Sequence, residues 1–208
     1  MSLNASSKTT TPIKKLVFVA IFGALSFLLF MFNFALPIFP SFVKMDIADL
    51  PALFSGFFMG PLAGLEVILV RLALKIVIQG SDTAFVGELS NLCGSAIFVI
   101  LAALIYKKTR TRKGAVVSLV VSSIVVSIVY VFLNAYVMFP LYSRLYGLPL
   151  DTIIGMGTAI NPRITDLTTM MLFSILPFNL LKHAVVSLLT FLIYKRVGNV
   201  LKSLIYSN

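Results

Sequence analysis

The sequence predicts an all-α integral membrane protein with six transmembrane helices and both termini in the cytoplasm. Three observations carry that expectation. Hydrophobic residues make up 59% of the 208 positions and charged residues 12%, about half the charged share of a soluble domain. Mean hydropathy is +1.04, and apolar runs recur from end to end, as helices crossing hydrocarbon require. Most of the basic residues fall in alternate connections between those runs, which is how membrane topology is written in sequence. Sustained strand alternation is missing, which argues against an outer-membrane barrel.

The first 13 residues form a polar, basic tail within MSLNASSKTTTPIKK. The apolar run that follows, from Leu16 to Phe34, exceeds the roughly 7–15 residues of a secretory core and has no small-residue cleavage site after it. It is expected to remain as a first helix near 16–36. Helices near 48–59 and 62–79 are individually short for a bilayer that takes about 20 helical residues to cross. They meet at GPLAG, where Gly60-Pro61 marks a tight turn. Further helices are expected near 84–106, 114–138 and 168–195. No internal repeat stands out, which counts against an inverted-repeat secondary transporter. Residues 1–208 form a single domain on this reading.

The charges set the orientation. Lys8, Lys14, Lys15, the run KKTRTRK from Lys107 to Lys113, Lys195, Arg196 and Lys202 fall on one side. Lys44, Arg144 and Arg163 fall on the other. The richer side is the cytoplasm by the positive-inside rule. Segregated charge of this kind explains the net +10 as topology, with an affinity for anionic lipid as a further reading and no role for nucleic acid. The outer connections, 37–47, 80–83 and 139–167, carry Phe39, Phe42, Phe139, Tyr142 and Tyr146. Some of these belong to an interfacial belt, but their number favours a stacking surface that includes Phe42.

Polar groups inside apolar runs are the candidate functional residues. Asn179 and Lys182, three apart in ILPFNLLKHAVV, share a helix face. A lysine there is rewarded neither by lipid nor, near a helix start, by the macrodipole. Lys182 therefore either holds a ligand, the preferred reading here, or is satisfied without one, by snorkelling to the outer interface or by pairing with a carboxylate such as Asp46, Asp49 or Glu88. His183 points away and is expected to pack. Asn134 and Asn91 offer donor and acceptor together, suited to a heterocycle whose edge alternates C=O and N–H, or to interhelical bonds worth about 0.6 kcal/mol. Arg71 and Lys75, like charges four apart, call for acids, with Glu66, Asp82 and Glu88 as candidates. Asp49 is expected to cap the second helix. Small residues at Ala20, Gly23 and Ala24, and at Gly56, Gly60 and Gly64, mark close helix contacts; the first set is also suited to a partner protein.

Other chemistry finds no support. The chain has one cysteine, Cys93, and one histidine, which excludes an internal disulfide and a Cys-rich metal site. It has no phosphate-binding loop, zinc-protease motif or catalytic triad. An enzyme is not expected, nor is any hydrolysis of ATP by the chain itself.

Taken together, DIADLPALFSGFFMGPLAG, NAYVMFPLY, the Ala20-x-x-x-Ala24 helix and PFNLLK resemble the substrate-binding S components of energy-coupling factor (ECF) vitamin transporters, over nearly the whole length and most closely the riboflavin-specific branch. The resemblance implies a six-helix protein of the bacterial cell membrane that captures its vitamin from outside under a first loop around Phe39 to Asp46. It implies a transmembrane T component and two ATP-binding cassette ATPases as partners, with Ala20 and Ala24 facing the T component. It also implies riboflavin as transported ligand, with no cofactor, held by Asn134, Asn179 and Lys182. A pantothenate or thiamin-like ligand, or a small ion-coupled secondary transporter, remains the alternative.

Overall fold

The computed structural model describes residues 12–206. The tail with Lys8 and the side chain of Lys202 lie outside the described residues. All six apolar segments are helical: α1 (Pro12–Met31), α2 (Asp49–Met59), α3 (Pro61–Gln79), α4 (Val86–Thr109), α5 (Arg112–Leu133) and the final run ending in α9 (Leu176–Tyr206). Helical stretches long and apolar enough to cross a membrane are Ile13–Met31, Val86–Thr109, Arg112–Leu145 and Leu167–Gly198. Helix α2 has 11 residues, too few to span alone. Helix α3 carries Glu66, Arg71 and Lys75 in its apolar sequence.

The first helix stops at Met31 rather than near 36. The Asn33 side chain donates to the Phe30 carbonyl at 2.8 Å, satisfying one of the acceptors a helix end leaves open. The chain then turns into a short antiparallel pair, β1 (Phe34–Ala35) with β2 (Lys44–Met45), in register Phe34 opposite Met45. A hydropathy window reads through this break because Phe34 and Ala35 are as apolar as the helix before them.

The segment 139–167 is likewise more ordered than a connector. Helix α5 continues through a π-helical turn, Asn134–Met138, into α6 (Phe139–Leu145), and α7 (Leu150–Thr158) follows. The last membrane helix opens with α8 (Leu167–Met170), whose capping box joins Asp166 and Thr169. It passes through a second π turn, Met171–Ile175, into α9. Each π turn is followed, after one intervening residue, by a proline: Pro140 and Pro177. A proline inside an α-helix lacks its N–H and collides with the carbonyl four residues back. Widening the preceding turn by one residue accommodates the ring while the helix continues.

Close approach between helices depends on small residues. Gly60 closes the α2–α3 turn with φ +102°, a conformation that a side chain strains. Gly23 faces inward: a Cβ there would lie 2.3 Å from Val70 Cγ1 of α3. Its neighbours Ala20 and Ala24 lie on the exposed side of α1. On α5 the buried Ser118, Ser122, Ser123 and Ser127 make a narrow face, and Ser123 Oγ meets Ser187 Oγ of α9 at 3.0 Å.

Gly64 is the tightest test of this packing. An added Cβ would sit 2.6 Å from Val99 Cγ1 and 2.9 Å from the Ala52 backbone oxygen, whereas Gly155 in α7 has nothing within 4 Å. Gly64→Ala is expected to cost about 1–3 kcal/mol by overpacking, and Gly155→Ala to be neutral or mildly stabilising. Thermal melting of both variants in detergent, followed by helical circular dichroism, checks the contrast.

Candidate functional site

A cavity of about 610 Å³ opens at the end of the bundle where α3 ends and α4 begins. Helical periodicity explains what α3 contributes: Ile68, Arg71, Leu72, Lys75 and Gln79 recur at three- and four-residue spacing and line it as one face. Asn91 and Glu88 come from α4, Tyr130 and Asn134 from the end of α5, and Phe139 and Tyr142 from α6. The final helix adds Phe178, Asn179 and Lys182, while Phe42, Val43, Lys44 and Asp46 come from the hairpin. The candidates Asn91, Asn134, Asn179, Lys182 and Phe42 thus converge on one space, although they span four separate elements.

The hairpin is fastened across the bundle by three contacts. Phe39 packs edge-on against Phe178, with ring centres 5.3 Å apart. Phe42 meets Phe139 in the same way at 5.9 Å. Lys182 Nζ donates to Asp46 Oδ2 at 2.7 Å. Of the two readings of Lys182, the structure shows the carboxylate partner. Its expected position near a helix start does not hold, because the π turn keeps the helix continuous from Leu167 and places Lys182 well inside it.

Two further ion pairs face the cavity. Arg71, 3% exposed, donates through Nη1 to Asp49 Oδ1 at 2.8 Å and through Nη2 to Asn91 Oδ1 at 2.9 Å and Ser95 Oγ at 2.7 Å. Lys75 pairs with Glu88 and donates to the Gly80 carbonyl at 2.6 Å. Ser81 and Thr83 hydroxyls donate to the other Glu88 oxygen. The expected network around Arg71 and Lys75 is present, and of the candidate acids Glu88 does serve Lys75, but the others do not take part in the way expected. Asp49 serves Arg71, and Glu66 instead pairs with Lys15 of α1 at 2.7 Å. Asp49 does not cap α2: it makes no capping bond, and Asp46 Oδ1 accepts from the Ala48 N–H at 3.0 Å. The reason is spatial, since Asp49 points across to α3, where an unpaired guanidinium would be far costlier than an open helix end.

Asn134 and Asn179 are built alike. Each donates its side-chain amide to the carbonyl four residues back, Tyr130 O and Ile175 O, both at 2.8 Å. Both residues line the cavity, and among the described residues neither Oδ1 accepts a hydrogen bond. Asn91 is different: its oxygen is committed to Arg71. His183 packs as expected, 1% exposed, with Nδ1 2.7 Å from Asn179 O and its ring against Phe98. Tyr130 completes the wall, its hydroxyl donating to Ser90 O at 3.1 Å. No group of three or more His, Cys, Asp or Glu among the described residues is placed to hold a metal.

The family model described as "ECF transporter, substrate-specific component" matches residues 14–194. The chain belongs to this family. Its relatives include a riboflavin transporter, RibU, of Staphylococcus aureus, 31% identical over 91% of this chain and 93% of that protein. Another is the riboflavin transporter FmnP of Bacillus subtilis, 31% identical over 88% and 90% respectively. The solved S component of a bacterial ECF transporter superposes with a TM-score of 0.71 at 32% identity, covering 91% of this chain and 98% of that one. This S component is an integral membrane transport protein and not an enzyme.

Sequence reasoning missed that Arg71 stands in the wall of the site, held from behind by Asp49. The signal lay in the spacing of Ile68, Arg71, Leu72, Lys75 and Gln79, which marks a single face. Asp49→Leu leaves a buried guanidinium unpaired and is expected to cost about 3–5 kcal/mol, whereas Asp49→Leu with Arg71→Met recovers most of that loss. Thermal melting of wild type, both single variants and the double variant decides it; a double variant as unstable as Asp49→Leu counts against the pairing.

Proposed function

We propose that this S component captures riboflavin in the cavity beneath the hairpin and hands it on through a transmembrane T component powered by two ATPases. The observation that carries the reading is the convergence of Asn134, Asn179 and Lys182 on one space with aromatic and apolar walls. Riboflavin has a flat ring with an N–H between two carbonyls on one edge. Apolar and aromatic side chains take the ring, and amides read the edge. A cavity of about 610 Å³ lies within the range of small-molecule sites, roughly 300–1,000 Å³. The identity of the ligand is supported by the relatives described as riboflavin transporters.

Lys182 is held by Asp46 through one of its three N–H donors. The other two serve a ring carbonyl or a ribityl hydroxyl. The pair thereby joins ligand, hairpin and α9 in one network, with the hairpin as the lid. Six spans with cytoplasmic termini fit the charge distribution, α2 and α3 crossing as two short helices. The exposed Ala20 and Ala24 of α1 are the surface offered to the T component.

Titration of purified protein should show saturable riboflavin binding by quenching of flavin fluorescence, and freshly purified protein should carry flavin absorbance. Lys182→Ala should weaken binding by about 1.5–3 kcal/mol, the scale of a hydrogen bond to a charged group, or roughly tenfold to a hundredfold. Pantothenate and thiamin should not compete. No binding at micromolar riboflavin, or an unchanged affinity in Lys182→Ala, defeats the proposal.

A further inference from the structure

The end of the bundle away from the cavity carries a second feature, independent of the vitamin site. Lys107, Lys108, Arg110, Arg112 and Lys113, around the α4–α5 turn, are all exposed, as are Lys195 and Arg196 on α9. Two contacts gather them on one surface. The Arg112 guanidinium lies 4.6 Å above the Phe191 ring, one helical turn before Lys195. The Tyr106 and Tyr194 hydroxyls meet, tying the last turn of α4 to the residue before Lys195.

No carboxylate answers this charge. The chain has seven acidic residues. Asp46, Asp49, Asp82 and Glu88 lie at or beside the cavity, and Asp151 and Asp166 belong to the α7 and α8 segments at that same end. The seventh, Glu66, is taken by Lys15. A surface of seven cations ringing the ends of membrane helices meets lipid headgroups, and its complement there is a phosphate diester with net negative charge. Clusters of four to eight Lys and Arg beside a membrane helix bind anionic lipid, and stacking on Phe191 preorganises Arg112 for a phosphate.

We infer that this surface is a binding site for anionic phospholipid, seated between the α4–α5 turn and α9. The site holds the headgroup by charge and by the Arg112 fork, while the acyl chains lie along the apolar outer faces of α5 and α9. It goes beyond vitamin capture and does not depend on it.

The test uses the full-length protein in neutral detergent, titrated with phosphatidylglycerol or phosphatidylcholine and read by native mass spectrometry and thermal melting. Phosphatidylglycerol is expected to bind at least tenfold more tightly than phosphatidylcholine, and the preference to fall steeply with added salt. The Lys107→Gln/Lys108→Gln/Lys113→Gln variant should lose most of the preference while melting like wild type in detergent alone. Should that variant not fold, the salt dependence of the wild type decides the matter. Equal binding of the two lipids, a preference insensitive to salt, or a folded variant that retains the preference overturns the proposal. So does inorganic phosphate reproducing the stabilisation at equal concentration, which would make the ligand a free anion.

Discussion

Charge placed among apolar helices must be answered by opposite charge or by hydrogen bonds, and this constraint organises the cavity end of the molecule. An isolated ion in that setting costs several kcal/mol even after relaxation. Arg71, Lys75 and Lys182 each meet a carboxylate, and each pair joins separate elements: α3 to α2, α3 to α4, and α9 to the hairpin. The same pairs that neutralise the charge therefore set where the cavity walls stand. They also leave the wall close to electrically balanced.

The two π turns work at the same place. Each widens a helix just before a proline and lies beside an asparagine whose amide donates four residues back. Both asparagines line the cavity. The aromatic contacts Phe39–Phe178 and Phe42–Phe139 then seat the hairpin over these groups.

Charge is divided along the length of the bundle. Most of the acidic residues lie toward the end where the cavity opens, and the exposed basic surface around the α4–α5 turn occupies the opposite end.

The class of the protein, its helical segments and the residues worth watching were legible in the sequence because they follow from local quantities: hydropathy, periodicity and charge spacing. Asn134, Asn179 and Lys182 stood out because polar groups are costly in hydrocarbon, whatever surrounds them. Partners were not legible. That Lys182 finds Asp46, that Arg71 finds Asp49 instead of Glu66, Asp82 or Glu88, and that Asn91 steadies a guanidinium all depend on which helices lie side by side. The break after Met31 and the helices within 139–167 were hidden because apolar side chains occur in turns as readily as in spans. Residue types decided what had to be satisfied; only the packing of helices decided which group satisfies it.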